Sequence, residues 1–223
     1  MISNVSMNPP VLFSESLLQR IRKARIIAVV VIDEVADAQP LSETLMEAGI
    51  TAIELTLRTP NALDSLCAIR RHCPDMLAGV GTVLFPEQAR LAVAGEAAFA
   101  VAPGLNPDVV RAAQMARLPF APGIMTPSDI ECAVQLGCRL LKLFPAEASG
   151  GVGFLNSIAA PYTHLDLQFI PLGGLNESNF TSYLALENVP AIGGSWIAPR
   201  DLIRKNDWPT IRENARRAVA KLS

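Results

Sequence analysis

Histidine is nearly absent from this chain, with His72 and His164 the two copies among 223 residues. That is too few for the histidine-rich sites in which zinc or iron hydrolases and lyases hold their metal. The four cysteines, Cys67, Cys73, Cys132 and Cys138, make no Cys-x-x-Cys pair. Each stands in or beside an apolar periodic stretch, so small buried thiols are expected rather than a disulfide framework. Excess charge of either sign is also missing. A formal net charge of −2 gives neither nucleic acid nor an anionic membrane an electrostatic hold, and any anion site must be local. The longest apolar run, 26–32, is far too short to cross a bilayer, and residues 1–10 are polar and proline-bearing, without the apolar core of a signal peptide. These absences make a cytoplasmic protein without a histidine-rich metal site the default expectation.

Half of the residues are hydrophobic, enough for a substantial core in a chain of this length. Residues 1–13 read as a loose arm, and Ser14 as the cap of a first helix over 15–23. A rhythm then begins. Strand-like apolar runs at 26–32, 51–57, 77–83, 98–102, 119–121, 139–144, 167–172 and 189–192 alternate with helix patterns. Those helices are expected over 37–48, 61–73, 86–95, from 107, over 127–137, 152–160 and 176–186, and in a tail over 201–222 interrupted at Pro209. Prolines open several of them and glycines close several. Eight strand–helix units with no linker predict an α/β fold of parallel strands, closed into a (β/α)8 TIM barrel with an extra N-terminal helix and spanning 14–223 as one domain. An open doubly wound sheet is the alternative; its dinucleotide version lacks a G-x-G-x-x-G after the first strand.

Lysine is scarce as well. Lys23, Lys205 and Lys221 sit among charged or polar residues near the ends, but Lys142 stands in the apolar run Arg139-Leu-Leu-Lys-Leu-Phe144-Pro145. A buried ammonium is costly unless it is paired or gives up its proton, and a neutral lysine amine is a nucleophile able to form a Schiff base with a ketone. The bland alternative is a lysine at a strand end whose head snorkels to water. Strand alternation puts Leu140, Lys142 and Phe144 on one face and Leu141 and Leu143 on the other. In the second strand it puts Glu54, Thr56 and Arg58 opposite Ile53, Leu55 and Leu57, so a carboxylate, a hydroxyl and a guanidinium point inward. Glu54 and Arg58 are either working groups or an internal ion pair. Gly79-Val-Gly81-Thr82 ends the third strand. Gly173-Gly174 follows the seventh strand and Gly193-Gly194-Ser195 the eighth. Each pair alone suits a turn; together they fall where barrels hold a phosphate on backbone N–H groups, with Ser195 adding a hydroxyl.

The segments Glu54-x-Thr-Leu-Arg58-Thr, Gly79-Val-Gly-Thr82-Val, Ala102-Pro103-Gly, Pro122-Gly-Ile, Lys142-Leu-Phe144-Pro-Ala-Glu and Gly193-Gly-Ser195-Trp, with the strand-seven Gly-Gly, stand in the order found in one family. Over roughly residues 15–220 the chain resembles the bacterial 2-dehydro-3-deoxy-phosphogluconate aldolases, a family that includes 4-hydroxy-2-oxoglutarate aldolase activity. The resemblance implies a class I aldolase that needs no metal and no cofactor, on a (β/α)8 barrel, usually a homotrimer, acting on a small 2-keto acid phosphate. By motif, it implies Lys142 as the Schiff-base lysine and Glu54 as the general acid/base. Arg58 and Thr82 would bind the pyruvate carboxylate, Pro103 and Phe144 line the pocket, and Gly173, Gly174, Gly194 and Ser195 serve the phosphate. The chain departs from the family after the first strand, where Asp33-Glu34 stands in place of a basic residue. Rival substrates are the galactonate epimer and unphosphorylated 4-hydroxy-2-oxoglutarate, although Leu57-Arg58-Thr59 is closer to the gluconate-type pattern. A phosphosugar isomerase or epimerase, or a non-catalytic phosphosugar-binding barrel, would use a similar fold.

Overall fold

Capping residues and prolines place the helix starts. Ser14 accepts a hydrogen bond from the Leu17 N–H, Asn106 from the Asp108 N–H and Thr126 from the Asp129 N–H, each satisfying an N–H that the helix itself cannot. Pro86, Pro107 and Pro127 occupy first helical positions, where the missing N–H costs nothing. The computed structural model describes residues 13–222; apart from Phe13, the expected N-terminal arm lies outside them. The helices are α1 (Glu15–Ala24), α2 (Ala38–Glu47), α3 (Ala62–His72), α4 (Pro86–Ala94), α5 (Pro107–Met115), α6 (Pro127–Gln135), α7 (Gly151–Ala159), α8 (Phe180–Leu184), α9 (Arg200–Arg204) and α10 (Trp208–Ala220). The strands are β1 (Ile26–Val30), β2 (Ala52–Thr56), β3 (Leu77–Gly81), β4 (Ala100–Val101), β5 (Phe120–Ala121), β6 (Gly123–Ile124), β7 (Leu140–Leu143), β8 (Gln168–Pro171) and β9 (Ile192–Gly194).

All pairings are parallel, in the orders β5-β4-β3-β2-β1-β9 and β6-β7-β8. The expected fifth strand is longer than the sequence suggests and is split at Pro122. Proline has no N–H for the ladder, so the half before it pairs with β4 and the half after it with β7. Lys142 N–H donates to the Pro122 carbonyl across that joint, at 2.9 Å. At the other seam Leu172, just past β8, packs so closely on Gly193 of β9 that a Cβ there would lie 2.3 Å from Leu172 Cγ. The curled sheet is the barrel-type α/β fold that strand–helix alternation predicts.

Side chains separate into two cores. Outward residues such as Ile53, Leu55, Val80, Leu141 and Leu143 pack beneath the surrounding helices. Ile27, Ala52, Leu77, Phe99, Val101, Ala121, Leu140 and Ile170 fill the interior, where Ile21 and Ala24 of α1 join them with Phe13, two residues ahead of that helix. The first helix therefore plugs the end where the strands begin, and polar groups are confined to the end where the strands finish, as barrels require.

Three expected boundaries move. The helix expected over 176–186 is regular only in α8, because Asn176 and Asn179 divert the chain first: Asn179 Oδ1 accepts from the Asn176 N–H at 2.8 Å, and Asn176 Oδ1 from the Ser178 N–H at 2.8 Å. Pro209 does not break the tail. It sits in the first turn of α10, where proline is tolerated, and the break is the stretch before it, with Asn206 at φ 54°. The eighth unit's strand is later than expected and contains Gly193 and Gly194 instead of preceding them.

Candidate active site

Lys142 points into the barrel, as alternation along β7 demands. It is 5 % exposed, so the snorkelling alternative fails, and its Nζ lies 3.1 Å from Glu54 Oε1 and 3.5 Å from Oε2. Glu54 is 2 % exposed. The two residues come from strands on opposite sides of the barrel: Glu54 is in register with Val29 and Gly79, and Lys142 with Gly123 and Ile170. They meet because the interior beside them is emptied by glycine. A Cβ on Gly81 would lie 1.8 Å from Glu54 Oε1, so the carboxylate occupies the space that any larger residue would need. Two charges out of water are tolerable only with such a partner.

Around this pair lies a cavity of about 730 Å³, counting the space open to solvent, at the barrel mouth. Glu54, Arg58, Thr82, Pro103, Lys142, Phe144, Gly173, Gly174 and Ser195 all line it. Arg58 does not pair with Glu54, as the internal ion-pair alternative would have it; its Nε donates to Thr56 Oγ1 at 3.1 Å, and that hydroxyl donates to the Val30 carbonyl, also at 3.1 Å. Thr56 thus links the guanidinium to the end of β1, a positioning that its inward face on β2 signals in sequence. Thr82 has φ 61°, a left-handed conformation that a β-branched residue adopts only under strain. The Phe144 ring centroid stands 5.6 Å from Lys142 Nζ, within cation–π range.

Gly194 is the exception among the expected site residues. It is absent from the cavity lining and Gly193 takes that place. Both are within a strand rather than a turn, and alternation sends them to opposite faces. A Cβ on Gly194 would lie 2.3 Å from the Trp196 ring, whereas Gly193 faces Leu172. Close approach, not a positive φ, is what those two glycines provide. Gly173 and Gly174, with φ 93° and 82°, do form a left-handed turn that suits glycine. Thr56, Val29, Leu172 and Leu175 complete the lining; the last three are apolar residues with no chemical signal in the sequence.

Asp33, where the chain departs from the resemblance, is not in the cavity. Its carboxylate is gripped by Arg200, Nε at 2.9 Å, and Arg204, Nε at 2.7 Å, and hydrogen bonds from those guanidiniums hold it well below the usual carboxylate range. The cysteines are all free; Cys73 and Cys138 are buried, Cys132 is half-buried, and Cys67 is exposed, contrary to expectation. Burial pushes the Cys138 thiol up to about 12. Among the described residues no group of three or more His, Cys, Asp or Glu side chains is placed to hold a metal ion, and no helix is long and apolar enough to cross a membrane.

A family model described as KDPG and KHG aldolase, for 2-dehydro-3-deoxy-phosphogluconate and 4-hydroxy-2-oxoglutarate, matches residues 17–214. This chain belongs to the KDPG and KHG aldolase family. It is 38 % identical over 206 residues to the 2-dehydro-3-deoxy-phosphogluconate aldolase of Haemophilus influenzae, covering 92 % of this chain and 96 % of the relative. To the KHG/KDPG aldolase of Escherichia coli it is 38 % identical over 194 residues, covering 87 % and 90 %. Among solved structures, the KDPG aldolase of Legionella pneumophila, with pyruvate captured as a covalent carbinolamine intermediate, superposes with a TM-score of 0.84. It shares 38 % identity and covers 89 % of this chain and 96 % of that one. As a member of this aldolase family, the chain is a carbon–carbon lyase of the Schiff-base class.

Gly81→Ala is expected to drive the Glu54 carboxylate off Lys142 and lower aldol-cleavage turnover by about a hundredfold, the usual scale of a lost acid/base group. Steady-state kinetics on a variant with an unchanged far-UV circular dichroism spectrum tests this; wild-type turnover would mean the contact is not used.

Proposed function

We propose that this protein cleaves 2-dehydro-3-deoxy-6-phosphogluconate to pyruvate and glyceraldehyde 3-phosphate, and 4-hydroxy-2-oxoglutarate to pyruvate and glyoxylate, through an imine on Lys142. The observation that carries this reading is the buried Lys142–Glu54 pair, 3.1 Å apart, beside a cavity that also holds Arg58 and the Gly173–Gly174 turn. The pyruvate carbinolamine in the Legionella relative supports the covalent route, and the double name of the Escherichia coli relative supports the second substrate.

The steps follow from the geometry. Proton transfer from Nζ to Glu54 leaves a neutral amine, which adds to the C2 ketone and forms a carbinolamine. Glu54 returns its proton to the carbinolamine hydroxyl, water leaves, and an iminium remains. Glu54, again a carboxylate, takes the C4 hydroxyl proton while the C3–C4 bond breaks and its electrons move to the iminium nitrogen. The aldehyde departs, Glu54 protonates C3 of the enamine, and water hydrolyses the imine to release pyruvate and the lysine amine. Arg58 and Thr82 hold the carboxylate of the keto acid, which fixes C2 against Nζ. Pro103 and Phe144 wall the pocket. Backbone N–H groups of Gly173 and Gly174, with the Ser195 hydroxyl, bind the phosphate; Gly194, next to Ser195, faces the Trp196 ring instead. An isomerase or a non-catalytic binder would have no use for a buried amine at a carboxylate, and neither fits the family.

We further propose a cytoplasmic homotrimer. Sugar-acid phosphates carry charge that keeps them inside the cell, and the trimer is the assembly that the family resemblance implies.

Kinetics with the gluconate- and galactonate-derived phosphates and with 4-hydroxy-2-oxoglutarate should rank the gluconate derivative first, and Ser195→Ala should raise KM about tenfold for phosphorylated substrate alone. An equal rise for 4-hydroxy-2-oxoglutarate would remove the phosphate assignment. Sedimentation equilibrium should give about three times the chain mass; a monomer would overturn the trimer.

A further inference from the structure

Beyond Lys142 the chain runs through Phe144 and Pro145 to Ala146 and Glu147, and there it is joined to the glycine turn after β8. Ala146 N–H donates to the Leu172 carbonyl at 2.7 Å and Glu147 N–H to the Gly173 carbonyl at 3.0 Å. A Cβ on Gly174 would lie 2.6 Å from Glu147 Cβ, so the stem of Glu147 is the back wall of that turn. The Glu147 carboxylate is not in the cavity lining. It accepts a short hydrogen bond from the hydroxyl of Tyr183, a fully buried residue on α8. The same carboxylate stands beside the start of α7, where Oε1 is 3.4 Å from the Cβ position of Gly151, an end that favours negative charge. From the α8 side, Asn176 Nδ2 and Asn179 Nδ2 each donate to the Gly174 carbonyl at 3.3 Å.

Glu147, on the continuation of the Lys142 strand, therefore touches three elements at once: the glycine turn, the start of α7 and α8. Its side chain contributes nothing to the cavity surface, and its bond to Tyr183 has no task in the chemical steps above. A carboxylate and a phenol that meet behind a turn fix where the turn sits. Burial, and then the Glu147 carboxylate, hold the Tyr183 hydroxyl protonated, well above the ordinary phenol range, so it remains a donor at all physiological pH.

We propose that Glu147 and Tyr183 are positioning residues, a strut whose hydrogen bond sets the Gly173–Gly174 turn at the distance from Lys142 that a phosphorylated substrate spans. This rests on the reading of that turn as the phosphate cradle. The strut does not touch the keto-acid end, so it distinguishes the two ends of the substrate. Removing it loosens the grip on phosphate and leaves the reaction of pyruvate with Lys142 intact.

The test compares the wild-type enzyme with Tyr183→Phe and Glu147→Gln in three measurements: KM for the phosphorylated substrate, competitive inhibition by inorganic phosphate, and lysine-dependent exchange of pyruvate C3 hydrogens with solvent. Tyr183→Phe is expected to raise KM and the phosphate inhibition constant about tenfold, with the exchange rate within twofold of wild type. Glu147→Gln keeps an oxygen acceptor for the tyrosine and is expected to lie between wild type and Tyr183→Phe. If the wild-type enzyme shows no competitive inhibition by phosphate, the cradle falls and the strut with it. If wild type is inhibited and Tyr183→Phe is inhibited equally, the strut alone is overturned. A loss of exchange as large as the loss of phosphate affinity would make Tyr183 a general structural support and also overturn the proposal.

Discussion

Two charges withdrawn from water, the Lys142 ammonium and the Glu54 carboxylate, stand 3.1 Å apart inside the barrel, and the surrounding fold is arranged so that neither is left alone. An isolated buried ion costs several kcal/mol even after relaxation, so loss of either partner would penalise the fold as well as the chemistry. The pair joins β2 and β7 across the interior rather than along a ladder. It exists because Gly81 leaves room for the carboxylate, and because the rigid outer core under the helices holds both strands still. In the proposed mechanism a nucleophile and its proton acceptor are thereby pre-placed before a substrate arrives, which is the kind of orientation that speeds a reaction most.

The barrel divides its length between two tasks. At the end where the strands begin, α1 and Phe13 close an apolar interior with no chemistry in it. At the mouth, polar groups are linked to one another by strand ends and loops: Arg58 to Thr56 to the Val30 carbonyl, Asp33 to Arg200 and Arg204, and Glu147 to Tyr183. The first of these links lines the cavity and joins the end of β2 to the end of β1; the other two lie outside it and tie a strand-end loop to a helix, Asp33 to α9 and Glu147 to α8. The strained Thr82 lines the same mouth. Stability is gathered at one end so that the other can bear charge and strain.

Much of this was legible in the residues. Period-two alternation placed Lys142, Glu54 and Arg58 inward, and proline and small polar caps marked most helix starts. What alternation shows is a face and not a partner. Glu54 and Arg58, four apart on one strand, looked like a possible pair, whereas the partner of Glu54 lies 88 positions away. Glycine pairs were equally ambiguous. Gly173-Gly174 forms a turn with positive φ, but Gly193-Gly194 is extended strand that admits Leu172 on one side and Trp196 on the other, and only packing reveals that. The split at Pro122 was missed because a two-residue strand after a proline carries almost no pattern of its own. Asn176 and Asn179 shortened α8 through side-chain bonds that compete with the helix.

The central claim is that the buried amine of Lys142 is the group that becomes covalent with a keto acid. Borohydride reduction in the presence of pyruvate, followed by peptide mass mapping, tests it most directly. The account predicts irreversible inactivation and a single reduced pyruvate adduct on the peptide that contains Lys142, with none when pyruvate is omitted. Full activity after that treatment, or an adduct on another lysine with Lys142 unmodified, would contradict it.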